Sequence, residues 1–303
     1  MPNLSGTVIP LPTPFDLKGE LDERVFREVL YFELKANVDG LMVAGSYGQG
    51  PVMRPDQRMR AAEIAVEQAA GKIPVVVHVG APDIQTVLQL SAHSARIGAD
   101  ALLIVPPYYY TDHNEYEITE HYKAVARAGS LPIYIYNNKR YAGIDITPDY
   151  AARLVEQVPN IKGIKLAWGT IDESSRYLAA LKGHDFGVFP GSPMDMAAGA
   201  ELGIRGTIAP MASVFPELCV ELWNSAVAKE RDKVTGLEER VKKLYIVVSD
   251  LVKKVGRTAF KELYRVRGIQ MALYPRWPAK QLDDSDRLEL QNKLAEAGWP
   301  PER

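Results

Sequence analysis

Eight times along this chain a short apolar run is followed by an amphipathic stretch, and that alternation constrains the fold more than any other feature. The runs are Thr7–Leu11, Gly40–Ala44, Ile73–Val79, Ala101–Val105, Ile133–Tyr136, Ile161–Lys165, Phe186–Phe189 and Gly206–Ala209. Helical patterns fill the intervals: Asp22–Ala36, Asp56–Ala70, Ile84–Ile97, Glu115–Ala128, Pro148–Gln157, Glu173–Leu181, Met194–Leu202 and Pro216–Val227. Near-continuous apolar strands are buried on both faces, so they predict a parallel sheet covered by helices. Eight such units with no Gly/Pro-rich linker predict a closed (β/α)₈ TIM barrel over residues 1–228. A doubly wound open sheet is the alternative, and no Gly-x-Gly-x-x-Gly turn opens the first helix to support it. Beyond residue 228 the rhythm gives way to helical patterns at Lys229–Lys254, Thr258–Ala272 and Asp284–Ala297. These predict a C-terminal helical extension over residues 229–303.

The bulk composition excludes several classes of function. With 36 Lys and Arg against 38 Asp and Glu, the formal charge is -2. That balance argues against a nucleic-acid partner and leaves room for a small anionic substrate, which needs only one local cation. An apolar fraction of 47% over 303 residues supports a large core. Cys219 is the sole cysteine, so no intrachain disulfide is possible. Its helical setting suggests a small buried side chain, and a reducing compartment fits. No signal-peptide pattern and no run long enough to span a membrane is present, so a cytoplasmic location is expected. The five histidines lack metal-ligand spacing, and neither a Gly-x-Ser-x-Gly elbow nor a P-loop occurs. No metal or cofactor is expected. Asp22, Glu23 and Glu28 look like the solvated start of a helix.

A TIM barrel carries its chemistry at the C-terminal ends of its strands. That singles out Thr13, Gly45-Ser46-Tyr47-Gly48, His78, Pro107-Tyr108-Tyr109-Tyr110, Tyr136-Asn137, Lys165, Gly191-Ser192 and Ile208. In Ile161-Lys162-Gly163-Ile164-Lys165, alternation puts Ile161, Gly163 and Lys165 on one face and Lys162 with Ile164 on the other. A lysine at the top of an apolar strand, beside Leu166, Ala167 and Trp168, loses solvation. Its pKa falls, and a neutral amine is the nucleophile that an imine requires. In Ile133-Tyr134-Ile135-Tyr136 the isoleucines face the helices, so Tyr136 points into the barrel mouth one strand before Lys165. A phenol there can relay protons. The residues alone leave other readings open. Strand-end lysines also serve as salt-bridge partners or solvated caps, and inward tyrosines also serve as core.

Taken together, these segments resemble the dihydrodipicolinate synthase / N-acetylneuraminate lyase superfamily over nearly the whole chain, roughly residues 4 to 298. Gly45-Ser46-Tyr47-Gly48 is similar to its Gly-[Ser/Thr]-Thr-Gly loop, and Pro107-Tyr108-Tyr109 to its Pro-Tyr-Tyr segment. Tyr136-Asn137 followed by Gly143 is similar to its Tyr-Asn-x-Pro segment, Gly163-Ile164-Lys165 to its Gly-[Ile/Val/Leu]-Lys motif, and Gly191 to the glycine after strand seven. The resemblance implies a Schiff base at Lys165, a proton relay at Tyr136, and Ser46 linking Tyr136 to Tyr109. It implies that Tyr109 enters from a neighbouring subunit of a homotetramer built as a dimer of dimers. Backbone amides of Ser46 and Tyr47 would hold the carboxylate of a 2-oxo acid such as pyruvate.

Departures from the family pattern bear on the aldehyde half. The synthase branch has an arginine in the loop after strand five, where Tyr141 stands here behind Lys139 and Arg140. Gln49 replaces a frequent glutamate. Ser192, Pro193 and Met194 follow Gly191 where the sialic-acid-cleaving branch has acids, and Ala167 replaces that branch's hydroxyl. Gly45–Pro51 and Pro107–Tyr110 are closer to the 2-keto-3-deoxy sugar-acid aldolases and dehydratases, which is the leading expectation. Tyr47, Tyr141, Leu166 and Trp168 also suit a more hydrophobic aldehyde, as in the hydratase-aldolases. The synthase and a catalytically dead binding paralogue are the remaining alternatives. Beside Ser46 and Tyr47, the residues expected to line the substrate are Tyr141, Ala167, Trp168, Gly191, Ser192 and Ile208.

Overall fold

A computed structural model describes residues 4–273, 278 and 280–300. Residues 1–3, 274–277, 279 and 301–303, included in the barrel and extension as expected from sequence, lie outside the described residues. Eight strands run parallel: β1 (Gly6–Pro10), β2 (Gly40–Val43), β3 (Val75–His78), β4 (Ala101–Ile104), β5 (Ile133–Asn137), β6 (Ile161–Leu166), β7 (Gly187–Pro190) and β8 (Gly206–Thr207). Their order is β7-β6-β5-β4-β3-β2-β1-β8. Arg205 N donates to Val188 O at 3.2 Å and Ile208 N to Pro190 O at 3.1 Å, so β8 also meets β7 and the sheet closes. The fold is the (β/α)₈ barrel that the alternating pattern predicts.

The covering helices are α1 (Glu23–Lys35), α2 (Pro55–Ala69), α3 (Ile84–Arg96), α4 (Glu115–Ala128), α6 (Pro148–Gln157), α7 (Ile171–Ala180), α8 (Met196–Leu202) and α9 (Pro216–Val227), with a four-residue turn of helix, α5 (Lys139–Ala142), inserted after β5. Side-chain caps fix several starts. Asp22 accepts from Val25 N, Asp83 from Thr86 N and Thr170 from Glu173 N, each satisfying an orphan donor of the first turn. Asn114 and Glu117 cap α4 reciprocally. Two buried layers result. The outer one, between strands and helices, holds Ile133, Ile135, Ile164 and Val188. The inner one fills the barrel with Val8, Met42, Val76, Leu103, Tyr134, Tyr136, Phe189 and Ile208.

Two local expectations fail for identifiable reasons. Ile161 belongs to the outer layer, not to the face of Lys165. Ile133 pairs with Ile161 but Tyr134 pairs with Gly163, so Lys162 is an extra residue that flips the alternation below it. Strand β8 covers only Gly206–Thr207 of the expected run Gly206–Ala209, because Ala209 already caps a 3₁₀ turn, Pro210–Ser213.

After α9 come α10 (Arg231–Val255), a 3₁₀ turn at Gly256–Thr258, α11 (Ala259–Val266) and α12 (Asp284–Glu296). The helix predicted over Thr258–Ala272 stops at Val266. Gly268 adopts φ +90 and its N–H turns back to Arg265 O, a left-handed ending that terminates the helix. These helices pack on the barrel: Tyr264 Oη donates to buried Glu33 of α1, and Phe215 stacks edge-on against Trp299 at 5.0 Å. No described helix is long and apolar enough to cross a membrane.

Candidate active site

Lys165 sits near the end of β6 with its side chain inside the barrel and is 3% exposed. Its strand neighbours are Tyr136 on β5 and Phe189 on β7. The side-chain nitrogen lies 4.3 Å from the centre of the Tyr136 ring and 3.6 Å from the sulfur of Met42, across the barrel on β2. Lys165 makes no ion pair among the described residues. Burial alone pushes its pKa from 10.5 down to about 7, because an ammonium loses water here and gains no counter-charge. Gly163, two residues before Lys165, lets β6 lie close to β7 and to the ring of Tyr134. A Cβ there would lie 2.5 Å from Gly187 O and 2.8 Å from the Tyr134 ring.

The Tyr136 hydroxyl accepts a hydrogen bond from Asn138 Nδ2 at 3.0 Å and also hydrogen-bonds Ser46. Desolvation raises its pKa, while those two bonds and the charge of Arg257 pull it down. Its ring meets His78 edge-on at 5.8 Å. His78 is held neutral. Burial and the charges of Arg58 and Lys165 push it well below the imidazole range. Nδ1 lies 3.1 Å from Ala44 O, which can only accept, and 3.4 Å from Arg58 Nη2, which can only donate, while Nε2 is buried without a hydrogen-bond partner among the described residues. Arg58, on α2, is buried beneath this wall and donates to His78 O at 2.6 Å and Gly80 O at 3.1 Å. Asn137 organises the loop beyond β5, donating to Asp145 and Tyr177 and accepting from Ile146 N at 3.1 Å.

A cleft of 420 Å³ lies over this corner, lined by Ser46, Gln49, Pro51, Val52, Val105, Tyr108, Tyr141 and Arg257. Of the residues singled out in the sequence, Ser46, Tyr108 and Tyr141 line it. Trp168 stands beside Tyr141 at 5.9 Å, half exposed, with Arg140 over its ring at 5.4 Å. Ala167 packs against the inner layer, and Ile208 lies fully within it. Gly191 N donates to Leu166 O at 2.7 Å, and Ser192 Oγ accepts from Met194 N, which orders the turn after β7.

Tyr47 departs from the expected lining role. Its hydroxyl accepts from Ser213 at 2.9 Å and its ring packs edge-on against Phe260 of α11 at 4.8 Å, so the side chain points into the extension. Tyr109 is not brought to Tyr136 within its own chain. It is 81% exposed, stacked on Tyr110, with φ +87. Sequence reasoning missed Arg58, Asn138 and Arg257. Arg257 was the hardest to see, because its link to Tyr141 joins residues 116 positions apart.

An eight-stranded barrel with a lysine and a tyrosine buried side by side at its mouth belongs among the class I lyases, which act on pyruvate through a lysine Schiff base. The chain is a member of the dihydrodipicolinate synthetase family, whose model matches residues 3–297. It is 33% identical over 242 residues to the 4-hydroxy-tetrahydrodipicolinate synthase of Brucella abortus biovar 1 (strain 9-941), covering 80% of this chain and 82% of that protein. Among solved structures, a chloride-inhibited dihydrodipicolinate synthase from Acinetobacter baumannii complexed with pyruvate matches at TM-score 0.87 and 26% identity, covering 98% of this chain and 99% of that one. YagE, a prophage protein of the dihydrodipicolinic acid synthase family from E. coli K12 in complex with pyruvate, matches at TM-score 0.89 and 24% identity over 97% and 98% of the two chains, a likeness of fold.

Proposed function

We propose that this protein is a class I aldolase or lyase whose Lys165 forms a Schiff base with a 2-oxo acid. The observation that carries the reading is Lys165 itself: a lysine buried without a counter-ion, with a pKa pushed down to about 7, beside a buried phenol. The neutral amine attacks the keto carbon, and the carbinolamine loses water to give the iminium. As the C4 hydroxyl passes its proton to the Tyr136 relay, the bond between C3 and C4 breaks and the iminium accepts its electron pair, releasing the aldehyde and leaving an enamine. Protonation at C3 and hydrolysis then return pyruvate and the free lysine. In the reverse direction the enamine adds to an aldehyde. Tyr136, bonded to Ser46 and Asn138, carries protons for the carbinolamine steps, and amides of the Ser46–Tyr47 turn hold the carboxylate.

The substrate we assign first is a 2-keto-3-deoxy sugar acid, cleaved or dehydrated. Support comes from the Gly45–Pro51 loop and from Tyr141 in the place of the synthase arginine. A second reading, 4-hydroxy-tetrahydrodipicolinate synthase, is favoured by one observation: Arg257 Nη2 donates to Tyr141 Oη at 2.8 Å, so a guanidinium returns to that corner from a different element. We further propose a homotetramer in which Tyr109 completes a neighbour's relay. Left-handed backbone at a non-glycine residue costs of order 1–3 kcal/mol, and a partner surface over Tyr109 and Tyr110 would compensate it. A cytoplasmic setting suits the buried free thiol of Cys219.

A substrate panel tests the reading, with pyruvate released or consumed as the signal. We expect turnover of 2-keto-3-deoxy sugar acids. Pyruvate consumption only with aspartate semialdehyde would favour the second reading, and no pyruvate turnover with any partner would reject both.

A further inference from the structure

We propose that Glu33 of α1 is a positioning residue for the active site: as the far anchor of a buried hydroxyl chain through Tyr264, Ser213 and Tyr47, it holds the Ser46–Tyr47 turn in the form that receives the substrate carboxylate. The inference rests on the Schiff-base reading of Lys165 and on that turn as the carboxylate's seat.

The chain joins four separate parts of the fold. Tyr264 of α11 is fully buried and donates its hydroxyl to Glu33 Oε1. Tyr264 also hydrogen-bonds Ser213, the last residue of the 3₁₀ turn after β8. Ser213 Oγ lies 2.9 Å from the Tyr47 hydroxyl and 2.7 Å from Pro210 O. Phe260, one helical turn before Tyr264 on the same face of α11, packs edge-on against the Tyr47 ring at 4.8 Å. The side chain of Tyr47 is therefore held from outside its own loop. Inside the loop, Gln49 N donates to Ser46 O at 3.2 Å and Gly50 N to Gly45 O at 3.0 Å, while the amides of Ser46 and Tyr47 have no acceptor among the described residues. Those two amides are left for a ligand, and the anchored Tyr47 side chain fixes the peptide plane that carries one of them.

Packing alone does not explain an acid at this place. Glu33 is fully buried, makes no ion pair among the described residues and leaves Oε2 without a hydrogen-bond partner there. The charges that act on it, Glu217 of α9 and Arg267 beyond α11, pair with each other at 2.6 Å. Burial pushes its carboxyl well above the carboxylate range, against the pull of the Tyr264 hydrogen bond, so Glu33 is a neutral acid at pH 7. A carboxyl with one partner costs more to bury than an apolar side chain of its size. What it supplies in return is an acceptor for a phenol that has no water to turn to, and the same phenol then stands fixed for Ser213. Without that acceptor Tyr264 is free to rotate, and Ser213 and Tyr47 lose the end of the chain that orders them.

The test reads the pyruvate concentration that half-saturates borohydride trapping at Lys165. Glu33→Leu and Tyr264→Phe should each raise it roughly 2- to 10-fold, the usual worth of one hydrogen bond, while saturating pyruvate still labels one lysine per chain. Glu33→Gln, a neutral acceptor of the same shape, should recover most of the native value. Neither change should add to Tyr47→Phe, which already cuts the chain at its near end, whereas a role in packing alone would add in full. Should Glu33→Leu not fold, Tyr264→Phe, which loses one oxygen, carries the test. Native half-saturation in Tyr264→Phe, a Glu33→Gln protein as impaired as Glu33→Leu, or full additivity with Tyr47→Phe would overturn the proposal alone. Native protein that traps no pyruvate would overturn the Schiff-base reading beneath it.

Discussion

Placing a carboxylate beside Lys165 should shut down the nucleophile at neutral pH, and Met42 is where to put it. Its sulfur is 3.6 Å from the lysine nitrogen, and glutamate has nearly the reach of methionine. In the native barrel only burial acts on the lysine, so the pKa stands near 7 and about half the amine is neutral at that pH. An opposite charge within about 4 Å favours the ammonium and raises the pKa by roughly 1–3 units. The neutral fraction at pH 7 then drops roughly 5- to 500-fold. The assay is kcat/KM for pyruvate against pH, which reports groups of the free enzyme. Met42→Glu should move the acid limb upward from about 7 by the same roughly 1–3 units, whereas Met42→Gln, of equal shape and no charge, should leave it in place. Identical profiles for the two variants, or no limb near 7 in the native protein, would refute the argument that desolvation sets this lysine.

Burying an amine should also cost stability. The folded pKa of Lys165, about 7, lies below 10.5, so the unfolded chain binds more protons between those values; the cost is full below pH 7 and fades as pH rises towards 10.5. Lys165→Met should therefore be more stable by up to about 5 kcal/mol at pH 7 and below, with the gap closing in alkaline denaturation curves; a gap independent of pH would contradict this. Tyr136→Phe should keep the fold and slow turnover by roughly 10² to 10⁴, and a native rate would return that residue to the core. Gly163→Ala drives a methyl into Gly187 O and should lower both melting temperature and activity; native behaviour would mean that the strands yield freely. Mixing Lys165→Ala with Tyr109→Phe subunits should restore part of the activity if Tyr109 serves a neighbour, provided subunits exchange, and full activity in a demonstrated monomer would defeat that assignment.

The barrel was legible because parallel strands buried on both faces must be apolar throughout, and eight such runs stand clear of their helices. Lys165 and Tyr136 were legible because each breaks or completes an inward–outward alternation at a strand's C-terminal end. The same rule failed at Ile161, where the extra residue Lys162 shifts the register, and nothing in a single strand announces a bulge that depends on its neighbour. Tyr47 was misplaced because loop position does not fix side-chain direction; Ser213 and Phe260, far along the chain, turn it outward. Arg257 was invisible for a related reason. A turn between two helices of the extension gives no hint that it reaches the loop after β5, and only the packed fold brings them together. Asn138 carries no signal in the strand pattern, since it lies in the loop beyond β5, yet two residues after Tyr136 its amide reaches the phenol.

The most direct test of the central claim is reductive trapping. Protein incubated with pyruvate and borohydride should gain one three-carbon unit per chain, on Lys165, and Lys165→Ala should gain none while remaining folded. Modification at Lys162 or at any other lysine, or undiminished turnover by Lys165→Ala, would contradict the account.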